Sequence, residues 1–375
     1  MKLEKVYEVY KKWLNIEDTN RIDIMLAVAL TRMVRGTKLW LIFVGPSGDA
    51  KSEMVNCLDD GGLNIYVMHK LTARTIVSGN PKVHDLAPEL DNKLIIISDF
   101  AEILTLPPAE KAAIWGQLRE LYDGRAGGDT GAGKRSKYDH LNVTMIGCST
   151  PAIDSQILIH QALGTRELIY RTKGSFNKTD LLKKVNYNEE EEEEMRFELR
   201  KATQQFLIER KYITKELDEE TKRQLFNYAS YLTIIRTQGD FDQYSGELNL
   251  SSIPEEPTRL YKQLKRLYLA LLSLEDEYPS WKAMEIIKHT IKSSGNQLRQ
   301  ELLETIEKLK ESNNNPINHA ELARLLRVNW KTAYREANLL WNLRVLEKET
   351  EYDHYGRAIS HFWSLNEKWE EKYLV

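Results

Sequence analysis

Leu39-Trp40-Leu41-Ile42-Phe43-Val44 runs without a break into Gly45-Pro46-Ser47-Gly48-Asp49-Ala50-Lys51-Ser52, followed by Glu53. Six apolar residues ending at a glycine turn read as a strand covered on both faces. Met54, Val55 and Leu58 then recur at helical spacing. Strand, glycine-bearing loop, Lys-Ser and helix are together the parts of a phosphate-binding loop. In such a loop turned backbone N–H groups cradle phosphates, which places Gly45, Pro46, Ser47, Gly48, Asp49, Ala50, Lys51, Ser52 and Glu53 around a nucleotide. Lys51 reaches the β/γ oxygens as a point charge, and the Ser52 hydroxyl ligates Mg²⁺. The general pattern has glycine directly before the lysine, where this chain has Ala50.

Working outward, 375 residues exceed the usual size of one domain, and 42% hydrophobic with 29% charged residues is the balance of a soluble protein with real cores. No apolar run is long enough to cross a membrane. Met1-Lys2-Leu3-Glu4-Lys5 reads as an amphipathic helix rather than a signal peptide, so the expected location is the cytoplasm of a prokaryotic host or a virus-infected cell. Cys57 and Cys148 supply neither a disulfide framework nor a zinc site and read as buried thiols. A net charge of −3 excludes a generally basic coat, so nucleic-acid contact has to come from local clusters.

Helical periodicity over residues 1–37 forms a lead-in. Further apolar runs at Leu63-Asn64-Ile65-Tyr66-Val67, Leu94-Ile95-Ile96-Ile97 and Val143-Thr144-Met145-Ile146 alternate with helical segments, as in a parallel α/β sheet, giving a core over 38–185. The six glutamates Glu189 to Glu194 open a helical region, 186–295. Asn313-Asn314-Asn315-Pro316 is a turn inside a last unit, 296–375. There, helices about 298–311, His319 to Arg327 and Trp330 to Leu343 are followed by two alternating strands around Asp353-His354-Tyr355-Gly356-Arg357. This is the order of a winged helix-turn-helix, whose third helix begins near Asn329, Lys331, Thr332, Tyr334 and Arg335. Lys331, Arg335 and Arg357 are its candidate DNA contacts.

Leu94 to Ile97 ends in Ser98-Asp99-Phe100, a strand closing on a carboxylate where a second ATPase motif falls. Usual motifs supply two carboxylates there, one for the metal and one for the attacking water; here there is one. Two registers stay open. Asp99 is either the metal ligand, with Glu102 or Glu120 as base, or the water-activating residue, with Ser98 in the metal position. After a helix from Pro108 to Tyr122, the stretch Gly124 to Lys137 mixes five glycines with Lys134, Arg135 and Lys137 and reads as a flexible loop or hairpin tip.

Gly-x-x-Gly-x-Ala-Lys-Ser, Ser98-Asp99-Phe100, Leu118-Arg119-Glu120-Leu121-Tyr122-Asp123-Gly124, Leu163-Gly164-Thr165-Arg166 and Pro257-Thr258-Arg259-Leu260 occur here in an order that resembles AAA+ ATPases of phages, plasmids and integrated elements, close to minichromosome-maintenance (MCM) helicases. The resemblance implies an α/β AAA+ core with a parallel P-loop sheet, a helical lid and a C-terminal winged helix. ATP and Mg²⁺ are then the cofactors. It makes Lys134, Arg135 and Lys137 the tip of a hairpin reaching DNA in a ring's pore, and Thr150, ahead of Ser149, the polar residue of sensor 1. Arg166, ahead of Arg171, becomes an arginine finger supplied to a neighbour, and Arg259 the lid's sensor 2. The implied protein is a ring-forming, hexameric DNA motor, a replicative helicase on single-stranded or forked DNA with a primase or other replication protein as partner. A non-helicase AAA+ switch or loader and a winged-helix regulator with an ATPase sensor are the alternatives.

Overall fold

The computed structural model describes residues 1–59, 64–129, 134–154, 166–174, 191–242, 248–249, 252–312 and 316–369. Leu63, the tip glycines Gly131 and Gly133, Leu163-Gly164-Thr165, Glu189 and Asn313-Asn314-Asn315 lie outside the described residues. Packing divides the chain into two units. The first is Met1–Ile157, Arg166–Leu217 and Lys262–Thr290, and the second is built mainly of Asp218–Tyr261 and Ile291–Val375.

In the first unit α1 (Leu3–Trp13) and α2 (Asn20–Leu30) precede β1 (Trp40–Val44), α3 (Lys51–Asn56), β2 (Ile65–Val67), β3 (Lys93–Ile97), α4 (Ala101–Leu104) and α5 (Pro108–Tyr122). The hairpin β4 (Ala126–Asp129) and β5 (Arg135–Tyr138) comes next, then β6 (Val143–Ser149) and β7 (Leu168–Arg171). Five strands form one sheet in the order β2-β3-β6-β1-β7. Every pairing in it is parallel. This is an α/β core of P-loop type.

All five residues of β1 are buried, as a central strand covered on both faces requires. Each large side chain there contributes about 1.5–3 kcal/mol by leaving water. Pro108 opens α5, and Ile114, Trp115, Leu118, Leu121 and Tyr122 form its buried stripe. Trp115 stacks on Phe100, their ring centroids 5.9 Å apart. The Phe100 ring lies so close to β6 that a Cβ at Gly147 would stand 2.2 Å from it, so only glycine fits there. α2 is buried almost throughout, and Asp23 inside it accepts hydrogen bonds from Tyr7 and Tyr278 and pairs with Lys282 at 2.7 Å.

The second unit contains helices Gln297–Glu311, His319–Leu326 and Trp330–Asn342 and a three-stranded antiparallel sheet in the order β8-β10-β9: β8 (Ile317–Asn318), β9 (Leu346–Tyr352) and β10 (Ala358–Leu365). Leu302, Ile306, Leu322, Tyr334, Leu340 and Trp363 share its core. Asn318 and Asn329 cap the second and third of these helices through their side chains, and Arg327 ends the second in a left-handed conformation, φ 55°. Arg299, 2% exposed, ties this unit together by donating to Glu336 and to the carbonyls of Ile235 and Thr237. Among the described residues, no helix is long and apolar enough to cross a membrane.

Candidate functional site

The register of the sheet brings the sequence motifs to one edge. Val44 lies opposite Ser149 on one side and Arg171 on the other, while Ile97 lies opposite Gly147. Because the strands are parallel, the loop after β1, the Ser98-Asp99 step after β3 and the Ser149-Thr150 step after β6 all emerge together. In the loop, Gly48 and Ala50 are left-handed, with φ of 78° and 52°. Alanine in that conformation is strained by about 1–2 kcal/mol. Gly45 is required where it stands, since a Cβ would fall 1.9 Å from the Thr172 hydroxyl after β7. Among the described residues, the amides of Ser47, Gly48 and Ala50 have no hydrogen-bond acceptor, which is the donor set an anion needs.

Lys51, 7% exposed, donates through Nζ to the carbonyls of Gly45 at 3.0 Å and Pro46 at 2.6 Å. Burial lowers its pKa, opposed by the negative charge of Asp49. The Ser52 hydroxyl donates to the Ser98 carbonyl at 3.0 Å, joining the start of α3 to the end of β3, and the Ser98 hydroxyl turns to Asn56 at 2.7 Å. Asp99 is exposed, and its charge reaches both Lys51 and Cys148. Cys148 is buried, which pushes its thiol up to about 12 and leaves it inert. A lysine ammonium, a hydroxyl and free amides as donors, with a nearby carboxylate as a metal ligand, fit a polyphosphate with its divalent cation. The Ser149 hydroxyl is buried with no hydrogen-bond partner among the described residues, and Thr150 is half-buried at the start of a short 3-10 turn.

The two arginines weighed as a finger fall at opposite ends of β7. Arg171 sits beside Val44 at the loop's own edge and holds Asp154 with both guanidinium nitrogens, at 2.7 and 3.1 Å. Arg166 precedes β7 and so lies at the far edge, where its Nη2 meets Asp123 at 3.1 Å, just past the end of α5. At about 3.3 Å per residue the two positions are separated by roughly 16 Å along the strand.

Strand alternation sorts the cations of the hairpin. Lys134, Ser136 and Tyr138 share one face, and all three donate to the Asp85 carboxylate, which also accepts the Ser78 amide at 2.8 Å. Lys134 stands 2.7 Å from Asp85, also reaches the Asn80 and Val83 carbonyls, and so has its charge answered inside this unit. Arg135 and Lys137 lie on the opposite, exposed face, with Lys137 3.2 Å from Asp139. Burial works to raise the Asp85 carboxyl, but the hydrogen bonds from Lys134, Ser136, Ser78 and Tyr138 outweigh it and hold the group well below the usual carboxylate range. A carboxyl with a depressed folded pKa stabilises above its unfolded pKa of about 3.9 and loses that contribution as pH falls through the folded value. Asp85→Asn is therefore expected to cost about 2–3 kcal/mol at pH 7, and chemical denaturation at pH 7 and at about pH 2, well inside the window below about 3.9, should show the gap to wild type narrowing at the lower pH. An equal gap at both would mean that the carboxylate charge is not what binds the hairpin.

In the second unit Arg259 pairs with Glu255 one turn back, across the start of the helix Thr258–Leu272. Lys331 is exposed beside the half-exposed Trp330. Arg335 is half-buried and donates to the Asp242 carbonyl at 3.4 Å, and Tyr334 is buried in the core. Arg357 is exposed over the Tyr355 ring, 5.2 Å from its centroid, and 3.8 Å from Asp353.

Sequence reading missed Arg21, Asp85 and Asp123. Arg21 and Asp23 within an apolar helix were the available signal, since charges there need buried partners. Asp85 carried none, and Asp123 stood within the Leu118–Gly124 segment with nothing local to name its partner.

A parallel five-stranded sheet with a phosphate-loop geometry at the carboxyl end of an interior strand, β1, is an α/β core of P-loop type. No protein-family model matches the chain, and no curated protein matches it. Solved structures with a similar chain path include one described as "SCCmec type IV Cch - active helicase", with a TM-score of 0.40 and 12% identity over 98% of this chain and 71% of that one. Two others are described as the apo structures of the NrS-1 C-terminal region. One has a TM-score of 0.34 and 10% identity over 97% of this chain and 76% of that one. The other has a TM-score of 0.35 and 12% identity over 96% and 76%. Likeness at this level carries no chemistry to this chain.

Proposed function

We propose that this chain is an ATP-hydrolysing DNA motor of the AAA+ kind, similar to MCM helicases and working as a ring. One observation carries the reading: the phosphate loop and Arg166 lie at opposite ends of the same parallel sheet. A single copy cannot bring them to one nucleotide, whereas copies packed edge to edge can. Lys51 and the loop amides hold the phosphates of ATP. Ser52, with Asp99, holds Mg²⁺, which neutralises charge on the transferring phosphoryl group when bound. Thr150 orients the attacking water, Arg166 reaches the neighbour's γ-phosphate, and Arg259 serves as sensor 2. The strand order, the hairpin inserted between α5 and β6 and the helix-turn-helix order of the second unit with its β9–β10 hairpin support this reading.

DNA contact in the pore then belongs to Arg135 and Lys137, with Lys134 as the anchor that aims them. Lys331 and Arg357, and Arg335 once released from Asp242, contact DNA from the second unit. Strand displacement on forked DNA, followed with ATP, tests the function. Arg135→Gln/Lys137→Gln should weaken single-strand binding and lower the slope of log K against log salt by about 1.4, at about 0.7 per phosphate contact. ATP hydrolysis without DNA should remain near wild type. A wild-type salt slope in the double variant would remove the hairpin from the DNA track.

A second reading has its own observation. Ser98 and Asp99 give the end of β3 a single carboxylate, which suits a slow switch or loader better than a fast motor. ATP-dependent assembly on DNA without strand displacement would select it.

A further inference from the structure

We propose that Arg21 is a positioning residue for the phosphate-binding loop: its guanidinium withdraws and neutralises the Asp49 carboxylate, so that a loop built to bind polyphosphate can carry an acidic side chain. The proposal rests on the nucleotide-binding reading of that loop. Asp49 lies between Gly48 and Ala50, among the amides offered to an anion. A carboxylate about 5 Å from a phosphate, at an effective dielectric of about 20, weakens binding on the order of a hundredfold. Something has to cancel it.

The structure shows what does. The Asp49 and Arg21 side chains are 4% and 3% exposed, turned inward toward each other. Arg21 Nη1 lies 3.2 Å from Asp49 Oδ1 and 3.3 Å from the Asp49 backbone carbonyl, while Nη2 reaches the Asn15 carbonyl at 3.5 Å. One guanidinium thus ties together the loop's side chain, its backbone and the connection between α1 and α2. The other carboxylate oxygen, Oδ2, faces Gly45 across the base of the loop, 3.0 Å from where a Cβ would stand. Among the described residues, neither Asp49 Oδ2 nor Arg21 Nε has a hydrogen-bond partner. An arginine fork can engage both oxygens of a carboxylate. The contact seen here engages one, so the pair has a second bond in reserve for a loop drawn tight on phosphate.

Removing the carboxylate separates a positioning role from that of a purely structural ion pair. Binding of a fluorescent N-methylanthraniloyl ATP is measured on the full chain as wild type, Arg21→Gln, and Arg21→Gln with Asp49→Asn, each checked for fold by circular dichroism and thermal melting. Arg21→Gln should bind at least tenfold more weakly, because Asp49 is left charged beside the phosphates. Adding Asp49→Asn should recover most of that loss, since the charge that needed the arginine is gone. Wild-type affinity in Arg21→Gln, or a double variant as weak as the single one, overturns the proposal. If Arg21→Gln does not fold, Arg21→Lys takes its place: it should weaken binding at least threefold when Asp49 is present and leave it unchanged in the background of Asp49→Asn, and an equal loss in both backgrounds counts against the idea. Wild-type protein that does not bind the nucleotide sinks the nucleotide reading itself, which is a different result from any of these.

Discussion

Lys51→Ala is expected to abolish ATP hydrolysis, with a loss of at least about a hundredfold, while leaving the fold intact. In the proposed site the ammonium would be the cation that the loop itself sets against the phosphates, and a preorganised charge of this kind is worth several kcal/mol where charge develops on the transferring group. The fold should survive because, among the described residues, Nζ is bonded only to the Gly45 and Pro46 carbonyls, in a loop whose Pro46, Ser47 and Gly48 are exposed and open to water. The melting temperature should therefore shift by no more than a few degrees. The lysine also gives a pH signature. Burial lowers its pKa from the ordinary 10.5, with the Asp49 charge working the other way. A bound phosphate raises it again, so binding takes up a proton at alkaline pH. Nucleotide affinity should then fall as pH rises, starting below the usual lysine range, and Lys51→Ala should show no such decline. Turnover unchanged in Lys51→Ala would remove the basis of the nucleotide site.

Arg166→Ala should cost about a thousandfold in hydrolysis, the low end of what an arginine finger contributes, and the loss should be repairable between subunits. A mixture of Arg166→Ala and Lys51→Ala proteins can bring an intact loop to an intact Arg166 only where unlike copies meet. Mixing them should restore part of the activity that each lacks alone. The contact with Asp123 supplies the control. If Arg166 matters only by holding Asp123, then Asp123→Asn should be as damaging as Arg166→Ala. If Arg166 acts on a neighbour's nucleotide, Asp123→Asn should keep most of its turnover. Mixtures as inactive as their components, together with a damaged Asp123→Asn, would make Arg166 a scaffold residue and take the main support from the ring.

Much of the candidate site was legible in the sequence because its parts are local. A strand, a glycine loop and Lys-Ser are contiguous, and the apolar run from Leu39 to Val44 matches β1 because an interior parallel strand covered on both faces is built mostly of apolar residues. Pro108 and Tyr122 bound α5 as read, and the helices read from His319 and Trp330 start where read, each capped in the structure by the asparagine before it. The two registers at Ser98-Asp99 could not be separated this way, since they differ in where a side chain points from the end of a strand. In the structure Ser98 turns to Asn56 and Asp99 lies exposed.

By itself, then, the sequence determined the strand running into a glycine loop and Lys-Ser, the alternation of strands and helices around it, and the three helices and hairpin at the end, all patterns carried within a few residues of one another. Only the tertiary structure decided what depends on distant partners. It placed Arg171 beside the loop and Arg166 at the far edge of the same strand. It set the Lys134 side of β5 on Asp85 and left Arg135 and Lys137 facing out. It divided residues 186–295 between two units, and it brought Arg21 to Asp49 across 28 positions of chain. The physical reason is the same each time: periodicity says which face of an element is buried, but the partner of a buried charge is chosen by register and packing, which no local stretch of sequence contains.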